Sequence, residues 1–174
     1  MIFDCGGDGK VQSDIRERFD SLKESSFSLV IGIRDVYPDK NMTRIRHYLY
    51  FGIPATGDIP VKIILAIQEI EAWFLAEETH YPIISERITL AVANEIARNE
   101  IPGIDLSMDS TETIPHPSET LKQIYIKGKT TYDKSKEKVE RTVGTLSYEN
   151  LYINIRQRNS SLNELLTCLD ELIS

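Results

Sequence analysis

The chain reads as an α/β protein: a mostly parallel sheet with flanking helices over residues 1–80, then a helical extension over residues 81–174 packed on the same core. Three observations predict this class. β-prone runs alternate with amphipathic helical stretches over about the first 70 residues, the pattern of βαβ units. Strand signals become scarce from Tyr81 onward. Between them, Pro60–Glu78 (PVKIILAIQEIEAWFLAEE) passes from a β-prone run into helical composition without an intervening glycine or proline. In an open parallel sheet the ligand crevice lies outside the carboxyl ends of the strands, where such a junction sits.

At 174 residues the chain can bury one sizeable core, so a single domain is the default. A formal charge of -7 argues against a broad electrostatic footprint for nucleic acid. It leaves room for an acidic site that holds divalent metal against phosphate. Cys5 and Cys168 match no zinc or redox spacing, and no basic-then-apolar leader follows Met1, so two free thiols in a reducing cytoplasm are expected. No apolar run approaches the roughly 20 residues that span a bilayer.

In order, Met1–Cys5 reads as a short strand and Gly6-Gly7-Asp8-Gly9 as a breaker. Val11, Ile15, Phe19 and Leu22 then mark one helix face. The glycines do not make a phosphate loop: Asp4 stands where the signature needs glycine, and Val11 where it needs Ser or Thr. Phe27–Ile33 is a second strand, ending on Arg34-Asp35. Asp35 fits two roles there, a metal-binding carboxylate at the sheet edge or a partner of Arg34 or a helix start. Asp39 follows Pro38 and reads as a turn or capping residue.

Met42, Ile45, Tyr48, Leu49 and Phe51 suggest a second helix that stops at Gly52-Ile53-Pro54, with Arg44, Arg46 and His47 on a solvated face. Val61–Ile67 is the third strand and Gln68–Ala76 the helix it feeds. Right-handed crossovers place the strand ends on one edge, bringing Asp35 near Glu69 and Glu71. Beyond Tyr81 the periodicity predicts helices over 83–98 with Ser85 as N-cap, from Pro117 to Gly128, in the charged segment up to Arg141, over 148–158, and over 162–173 capped by Ser160 or Ser161. Residues 99–115 read as a loop.

Four local strings carry a family resemblance. The Cys5-Gly6-Gly7 turn, the Arg34-Asp35 strand end, EAWFLAE at Glu71–Glu77, and Pro117 with Tyr132-x-Lys134 resemble the TOPRIM-like family encoded beside ATPases in bacterial genomes, which is similar to the RloB and OLD (overcoming lysogenisation defect) nucleases. EAWFLA is the most specific of these strings. The resemblance implies a TOPRIM-like (Rossmann-like) sheet and, in active relatives, Mg or Mn held by carboxylates for phosphodiester cleavage in a defence or DNA-transaction system. It also implies an ATPase partner and nucleic acid as substrate. Asp35 matches the first aspartate of the family's acidic pair; the second falls at Tyr37, and Asp39 substitutes only if its turn folds back. The family's first-strand glutamate would lie before Met1, so the first strand is expected to be missing, either lost from a fragment or dispensed with, and the site to be incomplete.

Two functional classes follow, beside a blander third, an α/β domain whose ligand is unrelated to nucleic acid. In the first, Mg²⁺ or Mn²⁺ sits between Asp35 and Glu71, with Asp39 or Glu69 in support, and Lys134 neutralises charge on phosphate; Lys134 also reads simply as a surface lysine. In the second, the domain has lost its chemistry and docks on an AAA/ABC-type ATPase. Glu69 and Glu71 are also ordinary first-turn acids of a helix. Successive helix positions differ by about 100°, which leaves Glu71 at the edge of the sheet-facing side and turns Glu69 to solvent. Trp73 and Phe74 read as core.

Overall fold

The computed structural model describes residues 3–37, 41–53 and 59–173. The chain is α/β, built around a small parallel sheet of two strands among the described residues, β1 (Val30–Asp35) and β2 (Val61–Ala66), in register Val30↔Val61 to Asp35↔Ala66. Nine α-helices are present among the described residues. They are α1 (Val11–Glu24), α2 (Met42–Tyr50), α3 (Glu71–Ala76), α4 (Tyr81–Ile84), α5 (Leu90–Ala97), α6 (Pro117–Lys127), α7 (Lys136–Val143), α8 (Tyr148–Ile153) and α9 (Ser160–Ile173).

Alternation along β2 separates two cores. Ile63 and Leu65 face Val11 and Ile15 of α1 and Ile45 and Leu49 of α2. Ile64 and Ala66 belong to the larger core, which takes in all of α3 from Ala72 onward, Ile88, Leu121, Ile124, Tyr125 and Leu162. Side chains of a strand point alternately to opposite faces, so the short sheet is covered on both. Gly32 allows this closeness on the α1 side. A Cβ there would meet Ile15 Cδ1 at 2.9 Å and Ile63 Cδ1 and Val11 Cγ1 at 3.0 Å.

The α1 face is as the periodicity predicts, with Val11, Ile15, Phe19 and Leu22 buried. The expected first strand differs: Phe3, Asp4 and Cys5 are not in a strand, while Met1 and Ile2 lie outside the described residues. Asp4 Oδ1 instead accepts from the Gly6 amide at 2.7 Å, an Asx-type turn that competes with extended pairing. β1 begins at Val30 rather than Phe27, because pairing starts where Val30 N donates to Pro60 O. The 83–98 prediction resolves into α4 and α5, with Thr89 rather than Ser85 capping α5; Thr89 Oγ1 accepts from Val92 N, whereas Ser85 Oγ donates to Gly128 O. Gly128 closes α6 as expected.

One polar anchor ties the helical half to the end of β2. Glu112 accepts from the Ser160 and Ser161 amides at the start of α9, at 2.9 and 2.7 Å. Ser161 Oγ in turn receives Trp73 Nε1 at 2.9 Å. The start of α9 is therefore fixed against the β2–α3 junction, and Trp73 is core, as the sequence suggests. The apolar stripe of α9 fades along its length: Leu162 is buried, whereas Leu169 and Leu172 are exposed. Cys5 and Cys168 are both free thiols. No helix among the described residues is long and apolar enough to cross a membrane.

Candidate metal centre

β1 and β2 end side by side, and the backbone past them is held together by Val36 N to Ala66 O and Tyr37 N to Gln68 O, at 3.0 and 2.8 Å. Gln68 takes a left-handed conformation, φ 62°, uncommon for a residue other than glycine. This turn delays α3 to Glu71 and points Glu69 back across the strand ends. Oxygen atoms of Asp35, Glu69 and Glu71 consequently lie within 4.8 Å of one another.

Each carboxylate is held by its own protein donor. Asp35 Oδ1 accepts from Ile70 N at 2.8 Å, just ahead of α3. Glu69 takes both the amide and the hydroxyl of Ser118, each at 2.9 Å, in the first turn of α6. Glu71 Oε1 accepts from the buried Tyr132 hydroxyl at 2.8 Å. Lys134 closes the group, with Nζ 3.2 Å from Asp35 Oδ2, 3.1 Å from Glu69 Oε1 and 3.6 Å from Glu71 Oε2. The side chains are 13, 11 and 2% exposed for the three acids and 53% for Lys134, so the ammonium stands between the carboxylates and solvent.

The environment pulls these groups apart in acidity. Burial works to raise the Glu69 pKa, but the two Ser118 hydrogen bonds and Lys134 outweigh it and hold the carboxyl below its ordinary value. For Glu71 burial prevails over Lys134 and Tyr132, and its pKa is raised. Burial would lower that of Lys134; the charges of Glu71 and Asp35 and the contact with Glu69 reverse the sign and keep it protonated. Tyr132 is pushed up by burial and by its proximity to Glu71, and stays a neutral donor.

The donor set suits a hard divalent cation, which prefers oxygen ligands. Glu71 Oε2 is buried and has no hydrogen-bond partner. The three acids are oriented from outside by Ile70, Ser118 and Tyr132, as ligands of a metal usually are by a surrounding shell.

Of the residues singled out in the sequence, Asp35, Glu71 and Lys134 come together. Asp39 lies outside the described residues. Glu69 does not point to solvent; it is buried and bonded to Ser118 and Lys134, because it precedes the helix and the helical spacing argument does not apply to it. Lys134 is not a free surface lysine. Tyr37 packs its ring edge-on against His116 at 5.1 Å. Ser118 escaped sequence reasoning; the only signal was its place just after Pro117 in the first turn of α6. An apolar groove of about 590 Å³ lies between α1, β1 and α9, and none of the three carboxylates lines it. No family model, curated protein or solved structure matches the chain.

Proposed function

We propose that Asp35, Glu69 and Glu71 bind a divalent cation, Mg²⁺ or Mn²⁺, and that the protein is a TOPRIM-like, metal-dependent phosphodiesterase of the nuclease type in a bacterial defence or DNA-transaction system. The observation that carries this reading is the convergence of three carboxylates beyond the ends of adjacent parallel strands, with Glu71 Oε2 buried, without a hydrogen-bond partner and 3.6 Å from the Lys134 ammonium. The EAWFLAE string and the Arg34-Asp35 strand end support the family assignment.

In this reading Asp35, Glu69 and Glu71 would hold the cation, which would supply Lewis-acid chemistry toward a phosphoryl group. Ser118 and Tyr132 are positioning residues: they fix the rotamers of Glu69 and Glu71 and never meet substrate. Lys134, already at the mouth of the cluster, supplies positive charge to a non-bridging phosphate oxygen. Isothermal calorimetry tests the assignment. Wild type is expected to bind Mg²⁺ or Mn²⁺, and Asp35→Ala and Glu71→Ala to lose binding; a folded wild type that binds neither ion refutes it.

One observation favours a second reading, a non-catalytic module that docks on an ATPase: an ammonium already lies among the three acids, where the cation would be. Co-purification with the product of an adjacent ATPase gene, by a protein that binds no metal, is the result that reading requires.

A further inference from the structure

Lys134 stands where a bound cation would stand. Its Nζ lies 3.1–3.6 Å from an oxygen of each carboxylate, and one oxygen from each of the three lies within 4.8 Å of the others. A divalent ion and an ammonium cannot share that space, since both are cations seeking the same oxygens. We propose that Lys134 is a tethered competitor for the metal, so that the site has two exclusive states. In the latched state the ammonium neutralises the acids; in the loaded state the metal replaces it and Lys134 turns outward, where it meets an anionic, phosphate-bearing substrate. The proposal rests on the metal-binding reading above.

Four features of the structure fit such an exchange. The backbone on either side of Lys134 is fixed: Tyr132 is buried and bonded to Glu71, and Asp133 accepts from Ser135 N at 3.0 Å and Lys138 Nζ at 2.6 Å. Only the side chain has to move. That side chain is half exposed, so rotating it into water opens no part of the core. Lysine is a compact charge on a flexible stem and makes no bidentate clamp, so release breaks point contacts alone. Lastly, the Ile70 amide, Ser118 and Tyr132 hold the acids independently of Lys134, so the ligand geometry survives its departure.

Competition lowers apparent metal affinity by the fraction of molecules that are unlatched. With three simultaneous contacts holding the ammonium, that fraction is expected to be about a tenth or less. Lys134→Met keeps the stem and deletes the charge, and it should bind Mn²⁺ at least about tenfold more tightly than wild type by calorimetry. Equal or weaker Mn²⁺ binding by a folded Lys134→Met overturns the latch and leaves the metal site standing. Absence of binding in both proteins overturns the metal site and the latch with it. Binding by Lys134→Met alone overturns the loaded state of the wild type and with it the two-state exchange.

A measurement on wild type keeps the proposal testable if Lys134→Met folds poorly. The ¹⁵N signal of the Lys134 ammonium, recognised by its loss in Lys134→Arg, should be distinct without metal and should join the solvent-exposed lysine signals as Mg²⁺ is added. A signal that stays in place while Mg²⁺ binds overturns the proposal.

Discussion

Tyr132→Phe isolates one hydrogen bond at the centre of the site. Phenylalanine fills the same buried space, so the change removes the hydroxyl that donates to Glu71 Oε1 at 2.8 Å and nothing else. Glu71 Oε2 lacks a hydrogen-bond partner and has the Lys134 ammonium 3.6 Å away, so the variant removes the one side-chain hydrogen bond to a nearly inaccessible carboxylate. A hydrogen bond to a charged group contributes about 1.5–3 kcal/mol. With 2–4 °C per kcal/mol for a chain of this size, the expected loss at neutral pH is about 3–12 °C in Tm. The pH dependence separates this from a packing effect. Burial raises the folded-state pKa of Glu71, so the native state loses stability as pH rises from the unfolded value of about 4.3 through that raised value. Without the Tyr132 donor the pKa rises further, and the loss deepens and extends to higher pH. At about pH 3.5 the carboxyl is protonated in both states, and only a neutral bond of about 1 kcal/mol is missing. Urea unfolding of both proteins at the two pH values is the assay. A cost that is the same at both, or below about 0.5 kcal/mol at neutral pH, refutes the reasoning.

Ser118→Ala removes one of two Ser118 donors to Glu69, whose pKa is held below its ordinary value in spite of burial. A depressed folded-state pKa gives stability that is present above the unfolded value of about 4.3 and lost as pH falls through the folded value. The variant should therefore lose about 1 kcal/mol at neutral pH and less near pH 3, and equal losses by urea melts would contradict this. Glu112→Gln weakens the acceptor for the Ser160 and Ser161 amides and should cost about 1–2 kcal/mol, read as a lower Tm by circular dichroism. An unchanged melt would mean that the start of α9 is fixed by packing alone.

Local periodicity carried much of the fold. The α1 face, the α6 boundaries at Pro117 and Gly128, and the strand character of Val61–Ala66 depend on neighbours in sequence, and they were legible. The start of β1 was not, because Val30 is set by a partner, Pro60, thirty residues away. Asp4 shows the same limit: a string with strand composition becomes a turn when a side chain takes the Gly6 amide. The proximity of Asp35 and Glu71 followed from the parallel topology, which sets the strand ends on one edge. Glu69 was misplaced because Gln68 adopts positive φ and the helix starts later than its composition suggests. Lys134 reaches Asp35 across 99 residues, and Ser118 reaches Glu69 across 49. Contacts of that range depend on how α6 packs against α3 and where the segment after it runs, which no local pattern encodes.

The central claim is a cation site made by Asp35, Glu69 and Glu71. Crystals soaked in Mn²⁺ and measured at an anomalous-scattering wavelength test it most directly. The account predicts an anomalous peak bounded by these three carboxylates, with the Lys134 ammonium displaced from its 3.1 Å contact with Glu69. An ammonium still in place, with no peak among the acids at a manganese concentration that saturates other sites, would contradict it.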